Sequence, residues 1–192
     1  MNSSLRLALA ALACASSLIG PAFAAQYDQR LANLSTRAQV GTGSNIMITG
    51  FVVQDAAPKR VLIRAVGARL ATAPFSIAGA LTNPQLQLFN AGGTLVLAND
   101  NWSTADLATM NSVGAFALST GSGDSALVAT LSPGAYTAQV SGVNNASGVA
   151  ILEIYDVSGS ARLMNLSTRA LVGSGTTTFF SGLSVAAGGG AG

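Results

Sequence analysis

The sequence predicts an all-β fold: an antiparallel β-sandwich of jelly-roll type with one short helix. Apolar runs rich in branched residues recur at a spacing of about ten residues, and clusters of Gly, Pro, Asn and Asp separate them. Hydrophobic residues make up 49% of the chain and charged residues 8%. That composition favours a packed core over a disordered chain, because enough apolar surface can be buried to offset the entropy of ordering.

Two apolar runs predict the first strands. NIMITGFVVQ, residues 45–54, is rich in branched side chains. KRVLIRAVG, residues 59–67, alternates between two faces. One face carries Val61, Ile63 and Ala65, and the other carries Arg60, Leu62, Arg64 and Val66.

The middle of the chain predicts a connection, a hairpin and the helix. Residues 68–84 contain Pro and Gly without a clear period, which indicates a long crossing connection. QLQLFNAGGTLVLAND, residues 85–100, predicts a hairpin with its turn at residues 90–93. Ser103 can cap the helix STADLATMNS, and Asp106 favours its positive end. Three strands follow, at 125–131, 135–143 and 149–157, and we expect them to form a meander.

Residues 30–53 and 162–185 are two copies of one segment, identical at 13 of 24 positions. The second copy is either the start of a truncated further unit or a terminal part of this domain. Its apolar side chains would each gain roughly 1.5–3 kcal/mol from burial, so we expect it to pack beside the first copy with pseudo-symmetry. The alternative is that strand 176–185 adds to a sheet of a neighbouring molecule, joining subunits. The apolar residues concerned are Leu163, Leu166, Val172, Phe179, Phe180, Leu183 and Val185.

The first 24 residues predict a secretory signal peptide. Arg6 precedes an apolar run from Leu7 to Ile19, and Ala22-Phe23-Ala24 matches a cleavage site. The run is shorter than the roughly 20 residues a spanning helix needs, so no membrane span is expected. A lipid attached to Cys14 is the alternative. We therefore predict export, one β-sandwich domain over residues 25–185, and a Gly/Ala-rich tail at 186–192.

Few residues could support catalysis. The predicted mature chain has no Cys and no His, which excludes Ser-His-Asp and Cys-His arrangements. Glu153 is the only glutamate, so a glycosidase carboxylate pair is not expected; we expect Glu153 to be a half-buried partner of Arg60 or Arg64. Without Arg6, eight basic residues face seven acidic ones. They form no basic stripe, which argues against a nucleic-acid partner.

One turn could bind a ligand. Asn99, Asp100, Asn101 and Asp124 carry the hard oxygen atoms that Ca²⁺ prefers, although such residues are also ordinary in turns. Trp102 beside them could be an exposed platform for a sugar ring. Its favoured interpretation is structural, because large aromatic side chains usually supply burial.

Three further residues are predicted to have structural roles. Arg37 and Arg169 occupy the same place in the two copies, and a guanidinium with five donors can bind loop carbonyls or an acidic partner such as Asp28 or Asp156. Tyr136 follows the turn at Pro133-Gly134, and we expect a core or corner tyrosine there.

The central strands resemble the pre-peptidase C-terminal domain and related secreted jelly-roll modules. The segments that carry this resemblance are NPQLQLFNAGGTLVLANDNW, GDSALVATLSPGAYTAQVSG and GVAILEIYD. Most of residues 27–185 is also similar to a repeat of large exported bacterial proteins that contains NLSTR-x-x-VG-x-G and LIRAVG. These resemblances imply a β-sandwich in an extracellular or envelope setting and no established activity for the repeat; some modules of the class bind calcium.

The expectation for function is a secreted, non-catalytic module with a structural or adhesive role at the cell surface or in the extracellular space. Its partner would be a protein or glycan, or another copy through strand addition. Two alternatives stay open. One is calcium-assisted carbohydrate or protein binding at the end of the sandwich that carries Asn99–Trp102. The other is an accessory fragment of a secreted hydrolase.

Overall fold

The computed structural model describes residues 29–173 and 178–187, and within them ten strands form two antiparallel sheets. The strands are β1 (Gln29–Val40), β2 (Met47–Gln54), β3 (Lys59–Val66), β4 (Pro84–Asn90), β5 (Leu95–Asn99), β6 (Ser125–Leu131), β7 (Gly134–Gly142), β8 (Gly148–Ser158), β9 (Arg162–Arg169) and β10 (Phe180–Ala187). The helix α1 spans Leu107–Ser112 and extends a 3-10 turn at Thr104–Asp106. The predicted all-β sandwich with one short helix is confirmed.

The strand order identifies a jelly roll with two added strands. Sheet A runs β10-β1-β8-β3-β6, and sheet B runs β5-β4-β7-β2-β9. Within these sheets β1 pairs with β8, β2 with β7, β3 with β6, and β4 with β5. This nested pairing of eight strands is jelly-roll topology, two Greek keys closed into a double sheet. Strands β9 and β10 then extend sheet B and sheet A at the same end.

The expected meander of three strands is wrong in its pairing. All three strands exist, but β6 and β8 lie in sheet A and β7 lies in sheet B. The turn at Pro133 and Gly134 therefore carries the chain from one layer to the other, with Gly134 at φ 152°. A turn between layers has the same residue composition as a hairpin turn, so local sequence could not tell them apart. The pairing depends on β8 lying between the distant strands β1 and β3.

Both predicted faces of β3 are buried. Val61, Ile63 and Ala65 belong to the main core between the sheets. Leu62 and Val66 belong to a second core on the outer face of sheet A. The crossing connection, α1 and the segments before and after α1 cover that face, through Leu70, Trp102, Met110, Ala115 and Leu118.

The crossing connection is fixed to sheet A by backbone contacts. Leu81 N donates to Val149 O, and Val149 N donates to Gly79 O, both at 2.8 Å. A Cβ on Gly67 would lie 2.1 Å from Leu81 O, and a Cβ on Gly148 would lie 2.7 Å from Leu81 backbone atoms. Both glycines are therefore required for this close approach.

The predicted hairpin and helix signals are confirmed. In the β4–β5 turn, Asn90 Oδ1 accepts from the backbone N–H groups of Gly92 and Thr94 at 3.0 Å, and Gly93 has φ 75°. At the helix, Ser103 Oγ accepts from Ala105 N at 3.2 Å. Gly114 follows the helix at φ 69°.

The second copy of the repeated segment packs on the first. β9 pairs with β2, and β10 pairs with β1, so intramolecular packing is confirmed. The expectation that its apolar side chains are all buried is wrong. Leu163 is buried and Leu166 and Phe179 are partly buried, but Val172, Phe180, Leu183 and Val185 are exposed. Strand β10 pairs with β1 at the edge of sheet A, but three of its apolar side chains lie outside the main core and remain exposed.

Candidate functional site

The buried charges of sheet A form a closed network centred on Glu153. Arg64 Nε and Nη2 donate to Glu153 Oε2 at 2.9 and 2.5 Å, and the Tyr155 hydroxyl donates to Oε1 at 3.0 Å. Arg64 Nη1 donates to Phe116 O at 2.7 Å. The predicted partnership of Glu153 with an arginine of β3 is confirmed, but Glu153 is fully buried rather than half-buried.

This network has a structural role, because its hydrogen bonds link separate elements of the fold. Burial, followed by the charge of Glu153, raises the pKa of Tyr155 above its ordinary value of 10.0, so the phenol stays neutral and donates. The Arg64 guanidinium also lies 4.4 Å from the ring centre of Phe116. The arrangement holds β3, β8 and the segment after α1 together.

A second buried ion pair was missed by sequence reasoning. Lys59 Nζ lies 2.7 Å from both carboxylate oxygens of Asp156 and 3.0 Å from Gly159 O. Asp156 is one of the acidic residues that an arginine of the repeat could have bound, and here Lys59 binds its carboxylate instead. Asp28, the other example, lies outside the described residues. The available signal was Lys59 itself, a lone lysine at the start of a buried strand.

The two repeated arginines have different surroundings. The Arg37 guanidinium lies 4.4 Å from the ring centre of Phe180, a cation–π contact between β1 and β10. Arg37 Nε is buried, with no hydrogen-bond partner among the residues described. Arg169 is exposed on β9, opposite Ile48. The described partner of the Arg37 guanidinium is therefore an aromatic ring, rather than the expected carbonyl or carboxylate.

Tyr136 has the predicted corner role. Its hydroxyl donates to Ser132 O at 2.9 Å, four residues back across the turn between the sheets. Its ring stacks on Phe51 of β2 with 5.7 Å between ring centres. The side chain therefore fixes the turn and contributes to packing.

Asp124 binds backbone groups. Its carboxylate accepts from Gly67 N at 2.7 Å, from Arg69 N at 3.1 Å and from Ser122 Oγ at 2.7 Å. The side chain is fully buried. These donors occupy the oxygen atoms that a cation would need, so the structure gives Asp124 a role in fixing the start of the crossing connection.

The three other predicted calcium ligands lie at the exposed end of β5. Asn99 Nδ2 donates to Asn101 O at 2.9 Å, and Asn99 Oδ1 accepts from Ala126 N at 3.2 Å. Asn101 Nδ2 donates to Asp100 Oδ1 at 3.3 Å. In the described part of the chain no three His, Cys, Asp or Glu side chains form a metal-sized group. Of the four predicted ligands, Asp100 alone offers an exposed carboxylate, which counts against the calcium site expected from the sequence.

Trp102 is a buried structural residue. It is 8% exposed, and its Nε1 donates to Ser119 O at 3.2 Å and to Ser122 Oγ at 3.1 Å. Because no ring face is presented to solvent, the sugar-platform interpretation is wrong and the structural one is confirmed.

A polar cleft lies where the β1–β2 and β7–β8 connections meet. Its volume is 380 Å³. Side chains with neutral hydrogen-bonding groups line it, namely Thr42, Gln85, Ser141, Asn144 and Asn145. Sequence reasoning missed it, because the residues come from three separate parts of the chain.

A group of exposed apolar side chains lies at the end formed by β9 and β10, here called the joining surface. We define it as the outer edges of these two strands together with the exposed side chains of Met164, Leu171, Val172, Phe180, Leu183 and Val185. β9 is the last strand of sheet B, and β10 is the last strand of sheet A. Within the described part of the chain, no further strand pairs with the outer edge of either one, and such an edge is a template for strand addition.

No family model, curated protein or solved structure matches the chain. Among the described residues, no helix combines the length and hydropathy needed to cross a bilayer.

Proposed function

We propose that this chain is an exported, non-catalytic β-sandwich module with a structural or adhesive role at the cell surface or in the extracellular space. The observation that carries the proposal is the joining surface, where exposed apolar side chains and open strand edges occur together. Exposed apolar side chains that gather at one end of a domain often mark an interaction site.

The distribution of charge supports the proposal. In the ion pairs Arg64–Glu153 and Lys59–Asp156 all side chains except the partly exposed Asp156 are buried, and structural hydrogen bonds occupy their charged groups. The joining surface instead offers what strand addition uses: main-chain donors and acceptors for affinity, and alternate side chains for specificity. The signal peptide predicted for residues 1–24 supports export, as does the resemblance to secreted jelly-roll modules.

The test is to follow where the exported protein goes. Cells expressing the full chain are separated into medium and surface fractions, and the amount of protein in each is measured. We expect the natural chain to be held at the surface. The paired substitution Leu183→Lys and Val185→Lys should release it into the medium, because charged side chains block association along a strand edge.

A matched control uses the opposite edge of the sandwich. Leu95 and Leu97 are exposed on β5, the last strand of sheet B at the other end. Changing both to Lys adds the same charge and should leave surface retention unchanged. If the natural chain is found only in the medium as a monomer, the adhesive role is rejected.

The polar cleft favours glycan binding as a second candidate function. Neutral amide and hydroxyl groups are suitable partners for sugar hydroxyls, and five residues with such side chains line this cleft. A glycan array with the natural chain and the variant Asn144→Ala tests it. Binding that the substitution abolishes would support this candidate, and the absence of binding to any glycan would reject it.

A further inference from the structure

Each strand of the first copy pairs with the non-equivalent strand of the second copy: β1 with β10, and β2 with β9. At an offset of 132 residues, β9 is equivalent to β1 and β10 is equivalent to β2. The pair β1–β10 is therefore equivalent to the pair β9–β2. The registers agree: Arg37 is opposite Phe180 as Arg169 is opposite Ile48, and Thr36 is opposite Ser181 as Thr168 is opposite Thr49.

Side-chain contacts follow the same pattern of pairing. The hydroxyl oxygens of Thr36 and Ser181 lie 3.1 Å apart, and those of the equivalent Thr168 and Thr49 lie 3.0 Å apart. Each pair of strands also has one register irregularity at the corresponding end. The two copies thus form a pseudo-two-fold unit at one end of the sandwich.

The pseudo-symmetry identifies which strands the joining surface lacks. β1 lies between β10 and β8, whereas its equivalent β9 has β2 on one side and an open edge on the other. β2 lies between β9 and β7, whereas its equivalent β10 has β1 and an open edge. The open edge of β9 therefore matches the edge that β8 occupies on β1. The open edge of β10 matches the edge that β7 occupies on β2.

Three apolar positions are buried in the first copy and exposed in the second. Val40, Phe51 and Val53 are 0%, 1% and 1% exposed, and their equivalents Val172, Leu183 and Val185 are 72%, 65% and 51% exposed. In the first copy, the strands β3 to β8 supply the cover. The six residues NLSTRA lie in the part of β1 that pairs with β8, and the second copy repeats all six. In the second copy, however, no strand equivalent to β8 pairs with them among the described residues.

We propose that the joining surface seats the body of another module of this kind, with its β8-like strand on β9 and its β7-like strand on β10. The inference rests on the proposed function and names the partner of that surface. The body is the part equivalent to residues 59–158. Sheet A would then continue from β10 through strands equivalent to β7, β4 and β5, and sheet B from β9 through strands equivalent to β8, β3 and β6.

The partner must lack its own first two strands. In an intact second copy of this chain, β7 and β8 are already paired with β2 and β1. A body can therefore use the joining surface only if it takes β9 and β10 as its β1 and β2. That requirement favours a body joined to the same chain directly after β10.

A fusion protein tests the inference. Ala187 is equivalent to Asp55, so a second copy of residues 56–192 is joined after Ala187 of the full chain. We expect backbone amides of β9 and β10 to exchange hydrogen at least tenfold more slowly in the fusion than in the natural chain, since both strands would become central. Leu183→Lys with Val185→Lys should remove that protection, and Leu95→Lys with Leu97→Lys in the first module should leave it intact.

The result that overturns the inference is a fusion in which β9 and β10 exchange as fast as in the natural chain. That holds whether the added body is folded or unfolded. The surface-retention assay on the natural chain is independent of this result. Protection in the fusion combined with release of the natural chain would reject the adhesive role alone, and the reverse would reject this inference alone.

Discussion

The hydroxyl oxygens of Thr49 and Thr168 share a hydrogen bond of 3.0 Å that joins the two copies of the repeat. Thr49 is fully buried, whereas Thr168 is partly exposed. If one hydroxyl is removed, the other loses its hydrogen bond. Only Thr168 can then bond to water instead, because Thr49 is fully buried.

We predict that Thr168→Val destabilises the protein by about 1–3 kcal/mol, since it leaves the buried Thr49 hydroxyl without a partner. Thr49→Val should cost less. The double variant Thr49→Val, Thr168→Val should be more stable than Thr168→Val alone. Urea denaturation measures all three free energies of unfolding. Equal costs for the two single variants would contradict the prediction.

Glu153→Gln should destabilise the protein by about 3–5 kcal/mol, because the Arg64 guanidinium would remain buried beside a neutral amide. The double variant Arg64→Met, Glu153→Leu removes both charges and should recover most of the loss. Chemical denaturation of the two variants gives the comparison. A loss below about 1 kcal/mol for Glu153→Gln would show that the ion pair does not stabilise β3 against β8.

The pH dependence of stability should report Tyr155. Its pKa is raised in the folded protein by burial and by Glu153, so the native state holds the phenol proton more tightly than the unfolded chain does. This contribution is complete below about pH 10 and declines above it, by at most about 1.4 kcal/mol per pH unit. Tyr155→Phe should therefore show a shallower decline between pH 10 and 11. Identical slopes would count against the raised pKa.

Asp124→Asn and Asp100→Asn form a matched pair of substitutions. At Asp124 the amide would present a donor to backbone N–H groups of Gly67 and Arg69, so we expect a loss of about 1–3 kcal/mol. Asp100 is exposed, and its substitution should change stability by less than about 0.5 kcal/mol. Thermal melts followed by circular dichroism compare them. Equal effects would remove the structural role assigned to Asp124.

Calcium binding at the Asn99–Asn101 turn can be decided by thermal melts with and without the ion. A site of extracellular affinity, with Kd about 10⁻⁴–10⁻³ M, would add roughly 2.7 kcal/mol at about a hundredfold excess over Kd. We expect no resolved shift, since Asp124 is occupied by hydrogen bonds and one exposed carboxylate remains. A rise in Tm that Asp100→Asn abolishes would instead establish the calcium site.

The elements that the sequence predicted well are those with a local signal. Alternation in β3 assigned Val61 and Leu62 to opposite faces, and the structure buries them in two different cores. The turn at Asn90 and the cap at Ser103 also depend on residues a few positions apart, so their chemistry is readable before any fold is known.

The features that were missed depend on pairings between distant residues. Lys59 and Asp156 are separated by 97 positions, and Asp124 binds Gly67 N from 57 positions away. Neither pairing leaves a local pattern. The exposure of Leu183 was missed for a related reason. Hydrophobicity shows that a side chain favours burial, and only the strand order shows that Leu183 lies on an edge strand, where it is exposed.

The position of β8 in the fold governs when the molecule can assemble. β8 separates β1 from β3 in sheet A, and Asn33 on β1 donates to Ile154 on β8 across 121 residues. β8 is therefore synthesised after both of its neighbours in the sheet, and topologies dominated by such distant pairings fold slowly. Most of the chain must therefore be synthesised before sheet A can close, since β8 begins only at Gly148.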